Sequence, residues 1–130
     1  MQRQDFDALA KQGYNRVALV SQALADLETP LSLYLKLTQE NGTKNTFLLE
    51  SVVGGERFGR YSIIGLPSKT LIKVTGGPNN TITQVITDGQ VTETDHGNPL
   101  DFIASYHARF KVFLQDGLPR FCGGLAGSFG

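Results

Sequence analysis

The part of the sequence that most constrains the fold is residues 70–95, where two turn signals separate three strand-like segments. The first turn is GGPNN at residues 76–80, and the second is the pair Asp88-Gly89. An Asp-Gly pair favours a two-residue hairpin turn in which both residues have positive φ. The flanking segments, 70–75, 81–87 and 90–94, are rich in β-branched residues and partly alternate in polarity. Because tight turns cannot join parallel strands, we predict an antiparallel sheet here.

Three helices are predicted around this sheet. Residues 5–11 form a short one that stops at Gly13, and a second begins at Thr29-Pro30 and continues to about residue 39, before Asn41-Gly42. The third begins at Asn98-Pro99 and is closed by Gly117 and Pro119. Helical spacing predicts a buried face for the second helix at Leu31, Tyr34, Leu35 and Thr38, and for the third at Leu100, Ile103, Ala104, His107, Phe110 and Leu114.

Further strands are predicted at residues 46–50 and 60–66, with extended chain at 16–24 and a glycine-rich strand at 121–130. Helices, several antiparallel strands, another helix and a final strand follow one another along the chain. This order predicts an α+β fold with a mostly antiparallel sheet and a few packed helices.

Composition excludes several classes of function. Twelve basic residues balance twelve acidic ones among 130 residues, so no overall charge attracts nucleic acid or an anionic membrane. No apolar run approaches the roughly 20 residues that a membrane-spanning helix needs. The first residues, MQRQD, lack the apolar stretch of a secretory signal, and one cysteine forms no internal disulfide. We therefore expect a cytoplasmic protein without nucleic-acid or membrane partners.

The common catalytic and metal-binding motifs are also missing. His96, His107 and Cys122 have no second ligand at metal-binding spacing, so no metal site is predicted. For His107 we expect a core histidine. The glycines at residues 123–130 do not follow the dinucleotide or phosphate-loop order, and no serine lies in a G-x-S-x-G elbow.

The residues leave one possible ligand site, with two interpretations. The segment LLES at 48–51 places a carboxylate and a hydroxyl at the end of a strand, and Arg60, Tyr61 and Ser62 follow ten residues later. A carboxylate and a hydroxyl suit an ammonium-bearing ligand, because charge-assisted hydrogen bonds are the stronger ones. Alternatively, Glu50 and Ser51 only end the strand and cap the next turn.

Several longer segments resemble anthranilate synthase component I, the large subunit of that enzyme. They are YNRV (14–17), ADLETPLSLYLKL (25–37), FLLES (47–51), GGERFGRYSIIG (54–65) and GGLAGSFG (123–130). They occur in family order from about residue 14 to the last residue, and together they are specific. The resemblance implies that residues 1–130 are the amino-terminal, regulatory region of the chorismate-utilising enzyme architecture, truncated before the catalytic, chorismate-binding region.

The family converts chorismate to anthranilate and pyruvate, with magnesium and with ammonia from a glutamine amidotransferase subunit. Its chorismate and magnesium residues lie in the carboxy-terminal region. The resemblance therefore implies no catalytic residue and no cofactor in this chain, which alone should be inactive. It implies instead part of a feedback pocket for L-tryptophan, formed by Leu49, Glu50, Ser51, Tyr61 and Ser62. Some relatives carry Lys-Ser in place of Tyr61-Ser62.

Two alternatives remain at this point. The first is the amino-terminal region of aminodeoxychorismate synthase component I, which shares the architecture and the ligand pocket, although residues 29–37 look more like anthranilate synthase. The second is a non-catalytic small-molecule binding module that occurs naturally at this length.

Overall fold

The computed structural model describes residues 2–40, 42–50, 61–119 and 121–130. Three helices lie among them: α1 (Arg3–Lys11), α2 (Pro30–Thr38) and α3 (Pro99–Ala108). The strands are β1 (Arg16–Val17), β2 (Phe47–Leu49), β3 (Ile63–Gly65), β4 (Thr70–Gly77), β5 (Asn80–Thr87), β6 (Gln90–Asp95) and β7 (Val112–Phe113). The predicted α+β class is confirmed.

The central prediction, an antiparallel sheet built on two tight turns, is confirmed. Strands β4, β5 and β6 are neighbours in that order. Asp88 and Gly89, which join β5 to β6, have φ values of 50° and 79°. Both values lie in the left-handed region that this type of hairpin turn requires, and a glycine enters that region without steric cost.

The starts of α2 and α3 were predicted correctly, because each carries a local capping signal, whereas α1 begins at Arg3, two residues before the predicted start at residue 5. The Thr29 side chain accepts a hydrogen bond from the backbone N–H of Ser32 (3.0 Å) at the start of α2. Asn98 Oδ1 accepts from the N–H groups of Leu100 (2.9 Å) and Asp101 (3.3 Å) at the start of α3. These bonds satisfy N–H groups that have no partner within the helix.

The predicted length and buried face of the third helix were wrong. Helix α3 ends at Ala108, and the chain then forms β7, which pairs in parallel with β1. The helix buries Phe102, whereas Leu100 is 62% exposed and His107 is also exposed. Phe102, Tyr106 and Phe110 form a second apolar row four residues apart, and their rings contact one another in sequence. Of the predicted face this row keeps only Phe110, and Phe102 and Tyr106 replace the other predicted positions.

Three other predictions need correction. The extended segment at 16–24 is a strand only over Arg16–Val17, and residues 121–130 form no strand. On α2, Thr38 is buried but Leu31 and Leu35 are 53% and 55% exposed. In each case the local sequence pattern is present, but the described residues supply no neighbour that covers or pairs with it.

The chain divides into two compact units. One contains Met1–Gln22, Lys73–Gln84 and Glu93–Gly130, and the other contains Ala23–Ile72 and Val85–Thr92. Among the described residues, the first unit buries Thr83 and Phe102, and the second buries Thr38 and Val85. These small cores leave many large apolar side chains exposed.

In the first unit, Asn15 connects the end of α3 to the amino-terminal segment. Its side-chain amide donates to the carbonyl of Arg109 (2.6 Å), and its side-chain oxygen accepts from the N–H of Lys111 (2.8 Å). The carbonyl of Lys111 in turn accepts from the N–H groups of Asn15 and Arg16. The backbone groups just after α3 therefore form hydrogen bonds with the segment at β1, and the helix does not continue.

Candidate functional site

The candidate ligand site lies at one end of the β2–β3 pair, in the second unit. The two strands are antiparallel, with Leu49 opposite Ile63 and Phe47 opposite Gly65. The carboxyl end of one antiparallel strand lies beside the amino end of its partner. Glu50, which follows Leu49, and Ser62, which precedes Ile63, therefore extend the two strands at the same end.

The structure thus brings together four of the five residues that the sequence predicted for the site. Leu49 belongs to the last residue pair of the sheet, Glu50 and Ser62 adjoin that pair, and Tyr61 is one residue further along. Ser51, the fifth, lies outside the described residues, as does the neighbouring segment 52–60. Residues 49–50 and 61–62 are about ten residues apart in the sequence, and the strand register brings them to the same end of the sheet.

The four described side chains are exposed. Leu49 is 54% exposed and Tyr61 is 57% exposed, and Glu50 and Ser62 also face solvent. An apolar side chain, an aromatic ring, a carboxylate and a hydroxyl are therefore all exposed at the same end of the strand pair. This set can contact a ligand that combines an apolar ring with an ammonium group, since the ring and the charge need different partners.

The opposite end of the β2–β3 pair is held by contacts that the sequence patterns did not reveal. The Tyr34 hydroxyl of α2 lies 2.6 Å from Thr46 Oγ1, which also donates to the carbonyl of Thr43 (2.6 Å). The ring of Phe47 covers the Cα of Gly65 so closely that a Cβ there would overlap it. Helix α2 thereby fixes the start of β2, whose other end carries Leu49 and Glu50.

Charged and polar groups around the start of α2 support this arrangement. Glu28 accepts hydrogen bonds from Lys36 and from the Ser32 hydroxyl, and Ser32 Oγ accepts from the N–H of Thr29 (2.8 Å). The bond from Lys36, and then that from Ser32, lower the pKa of the Glu28 carboxyl below its usual value. Because the Glu28 carboxyl is exposed, we expect its ion pair with Lys36 to add little stability. We expect the hydrogen bond from Ser32 to Glu28 to help hold the capping geometry of α2.

The part of the chain that the structure describes contains neither a metal-binding cluster nor a membrane-spanning helix. There, no three His, Cys, Asp or Glu side chains are grouped so that they could hold a metal ion. The described helices include none with the length and apolar character needed to cross a membrane.

Comparison with known proteins identifies the relatives of the chain. No family model matches it, and no solved structure matches it. It is 53% identical over 128 residues to a protein of Neisseria meningitidis and 54% identical over 128 residues to one of Neisseria gonorrhoeae. A Pseudomonas aeruginosa protein is 48% identical over 131 residues. These alignments cover 98% to 100% of this chain.

The chain spans about a quarter of the length of these relatives, 25% in each of the three. It is therefore homologous to one segment of a longer biosynthetic enzyme subunit. All three relatives are named anthranilate synthase component 1. The resemblance found in the sequence motifs is confirmed, and the chain is a fragment related to that subunit.

Proposed function

We propose that this chain is the amino-terminal regulatory region of an anthranilate synthase component I and carries part of its feedback site for L-tryptophan. The observation that supports the site is the β2–β3 register, which places Glu50 and Ser62 at the same end of the pair, next to Leu49. The observation that supports the enzyme is the identity of about half of all residues to three proteins of that name.

The proposed contacts follow from the chemistry of the ligand. The carboxylate of Glu50 accepts hydrogen bonds from the ammonium group of tryptophan, and the hydroxyls of Ser51 and Ser62 supply further bonds. Leu49 and Tyr61 contact the indole ring. Charge-assisted hydrogen bonds of this kind are stronger than neutral ones, and an indole buries a large apolar area.

Inhibition then results from a difference in affinity between two arrangements of the whole enzyme. Tryptophan can favour a less active arrangement only by the free energy with which it binds that arrangement better. Residues that contact tryptophan but not the reactants therefore change inhibition and leave uninhibited turnover nearly intact. Ser51→Ala is expected to act in this way.

The reaction itself belongs to the full-length protein. It converts chorismate to anthranilate and pyruvate, takes ammonia from a glutamine amidotransferase partner and uses magnesium, in the cytoplasm. The family's chorismate and magnesium residues lie in the carboxy-terminal region, so the proposal includes no catalytic step for this chain. The 130-residue chain alone is expected to form no anthranilate.

A chimeric enzyme tests the proposal. In the Neisseria meningitidis relative, the matched 128 residues are replaced by this chain, and anthranilate is measured by its fluorescence with chorismate and ammonia. We expect turnover that L-tryptophan inhibits and L-phenylalanine does not. An active chimera that L-tryptophan does not inhibit would contradict the proposed feedback role of this chain. A chimera that folds but forms no anthranilate would contradict the assignment of this chain to the amino-terminal region of that enzyme.

A further inference from the structure

The apolar face of α3 that the sequence predicted to be buried is open to solvent in this chain. Together with the segment after Pro119, it lines a shallow cleft of about 530 Å³. We call this the α3 cleft; its lining residues are Leu100, Ile103, Ala104, His107, Phe121 and Leu125, with Gly123 and Gly124. Leu100 is 62% exposed, Leu125 44% and Phe121 39%.

The composition of the α3 cleft is that of a contact surface. Its helical residues are spaced i, i+3, i+4 and i+7, the pattern of a face that packs against another element. None of the eight lining residues is Asp, Glu, Lys or Arg. Charged residues are depleted at the centres of protein interfaces, because burying an unpaired charge is costly.

Helix α3 is unusual because its other side is apolar and packed as well. Phe102 is buried at 8% exposure, and its ring stacks on Tyr106 with 6.2 Å between the centroids. A helix that is apolar on both sides is normally enclosed by protein. The described residues cover one side of α3 and leave the other uncovered.

The lengths of the relatives indicate what covers it. Each of the three is about four times as long as this chain, which accounts for 25% of their length. We propose that the α3 cleft is the surface on which the remaining part of an anthranilate synthase component I chain docks. This inference rests on the proposed function. A covalently attached segment reaches the cleft at high effective concentration, so it outcompetes a second copy of the chain.

Cysteine labelling tests the proposal at the level of single side chains. Exposed Cys122 is first replaced by serine, and Leu100→Cys or Ser105→Cys is then introduced. Ser105 lies on α3 and is exposed, but does not line the cleft, so it is the matched control. The maleimide labelling rate at each position is measured by mass spectrometry in the 130-residue chain and in the chimera described above.

We expect Leu100→Cys to react about ten-fold more slowly in the chimera, while Ser105→Cys keeps its rate, since reaction at a covered site must await local opening. Unchanged Leu100→Cys labelling in a chimera that forms anthranilate would overturn the docking surface and leave the proposed function intact. Equal slowing at both positions would also overturn the assignment to this face.

Two further results separate the other possible occupants. Slow Leu100→Cys labelling in the 130-residue chain that depends on its concentration would mean that a second copy fills the cleft, and would overturn the proposal. Slow labelling in a chimera without anthranilate formation would support the docking surface and contradict the enzyme assignment. The same rates measured on the two parts mixed as separate chains give an independent check that does not need the fusion to fold.

Discussion

The guanidinium of Arg109 donates two hydrogen bonds to the carboxylate of Glu93, at 2.8 and 2.6 Å, and so connects the end of α3 to strand β6. The same guanidinium lies 5.0 Å from the ring centroid of Tyr106 and 6.0 Å from that of Phe102. It therefore covers the packed aromatic row of α3. The bonds from Arg109 lower the pKa of the Glu93 carboxyl, and those to Glu93 raise the pKa of Arg109.

Glu93→Gln should lower the stability of the chain at pH 7 and have less effect in acid. The pKa of Glu93 is lower in the folded chain than its usual value of 4.5. The folded state therefore binds the proton more weakly, and the stabilisation is complete above pH 4.5 and lost as the pH falls through the folded pKa. Urea unfolding at pH 7 and pH 3 measures this difference, with Glu40→Gln, at an exposed position just after α2, as the control. An equal effect at both pH values would contradict it.

Asn15→Ala should destabilise the β1–β7 junction by about 1–2 kcal/mol, because it removes two hydrogen bonds to the backbone after α3. Asn15→Asp keeps the acceptor for the N–H of Lys111 but loses the donor to the carbonyl of Arg109, so its effect should be intermediate. Urea unfolding of the three chains gives the order. A fully stable Asn15→Ala would mean that the strand pair does not depend on this side chain.

Thr83→Val should stabilise the chain by about 1 kcal/mol. Thr83 is 0% exposed, and its hydroxyl has no hydrogen-bond partner among the described residues. Valine has nearly the same shape and removes the unpaired polar group. The matched control on β5 is Thr87→Val. The Thr87 hydroxyl forms a hydrogen bond with that of Thr70 (3.2 Å), so this substitution removes a paired hydroxyl and should not stabilise the chain. A gain for Thr87→Val but not for Thr83→Val would contradict the prediction.

Gly65→Ala should lower stability by about 1–3 kcal/mol, because the new methyl group overlaps the ring of Phe47 across the β2–β3 pair. Gly77→Ala on β4 is the control, since no atom lies within 4 Å of a Cβ at that position. Thermal unfolding compares the two. Combining Gly65→Ala with Phe47→Leu should recover part of the loss, and no recovery would argue against this contact.

The parts of the fold that were predicted correctly are those with local signals. Asp88-Gly89 specifies its turn by residue type, and Thr29-Pro30 and Asn98-Pro99 specify helix starts through caps that act within three residues. The end of α3 was not predictable in this way. It depends on Asn15, more than 90 residues away in sequence, which bonds Arg109 and Lys111.

For the candidate site, the sequence provided the residues but not their geometry. Resemblance to a family selected Leu49, Glu50, Tyr61 and Ser62, whereas their residue types alone left two interpretations open. Their proximity depends on the register that places Leu49 opposite Ile63. The support from Tyr34 to Thr46 was missed, because a hydrogen bond between residues 12 apart leaves no periodic pattern.

The most direct test of the account is the inhibition of the chimera by L-tryptophan with Glu50→Gln in place. Glutamine keeps the size of the side chain and removes the charge that pairs with the ammonium group. We predict that the inhibition constant rises about ten-fold or more, as expected for the loss of a hydrogen bond to a charged group, while uninhibited turnover stays unchanged. Glu40→Gln should change neither. An unaltered inhibition constant for Glu50→Gln, or a loss of uninhibited turnover with inhibition intact, would contradict the regulatory role of this site.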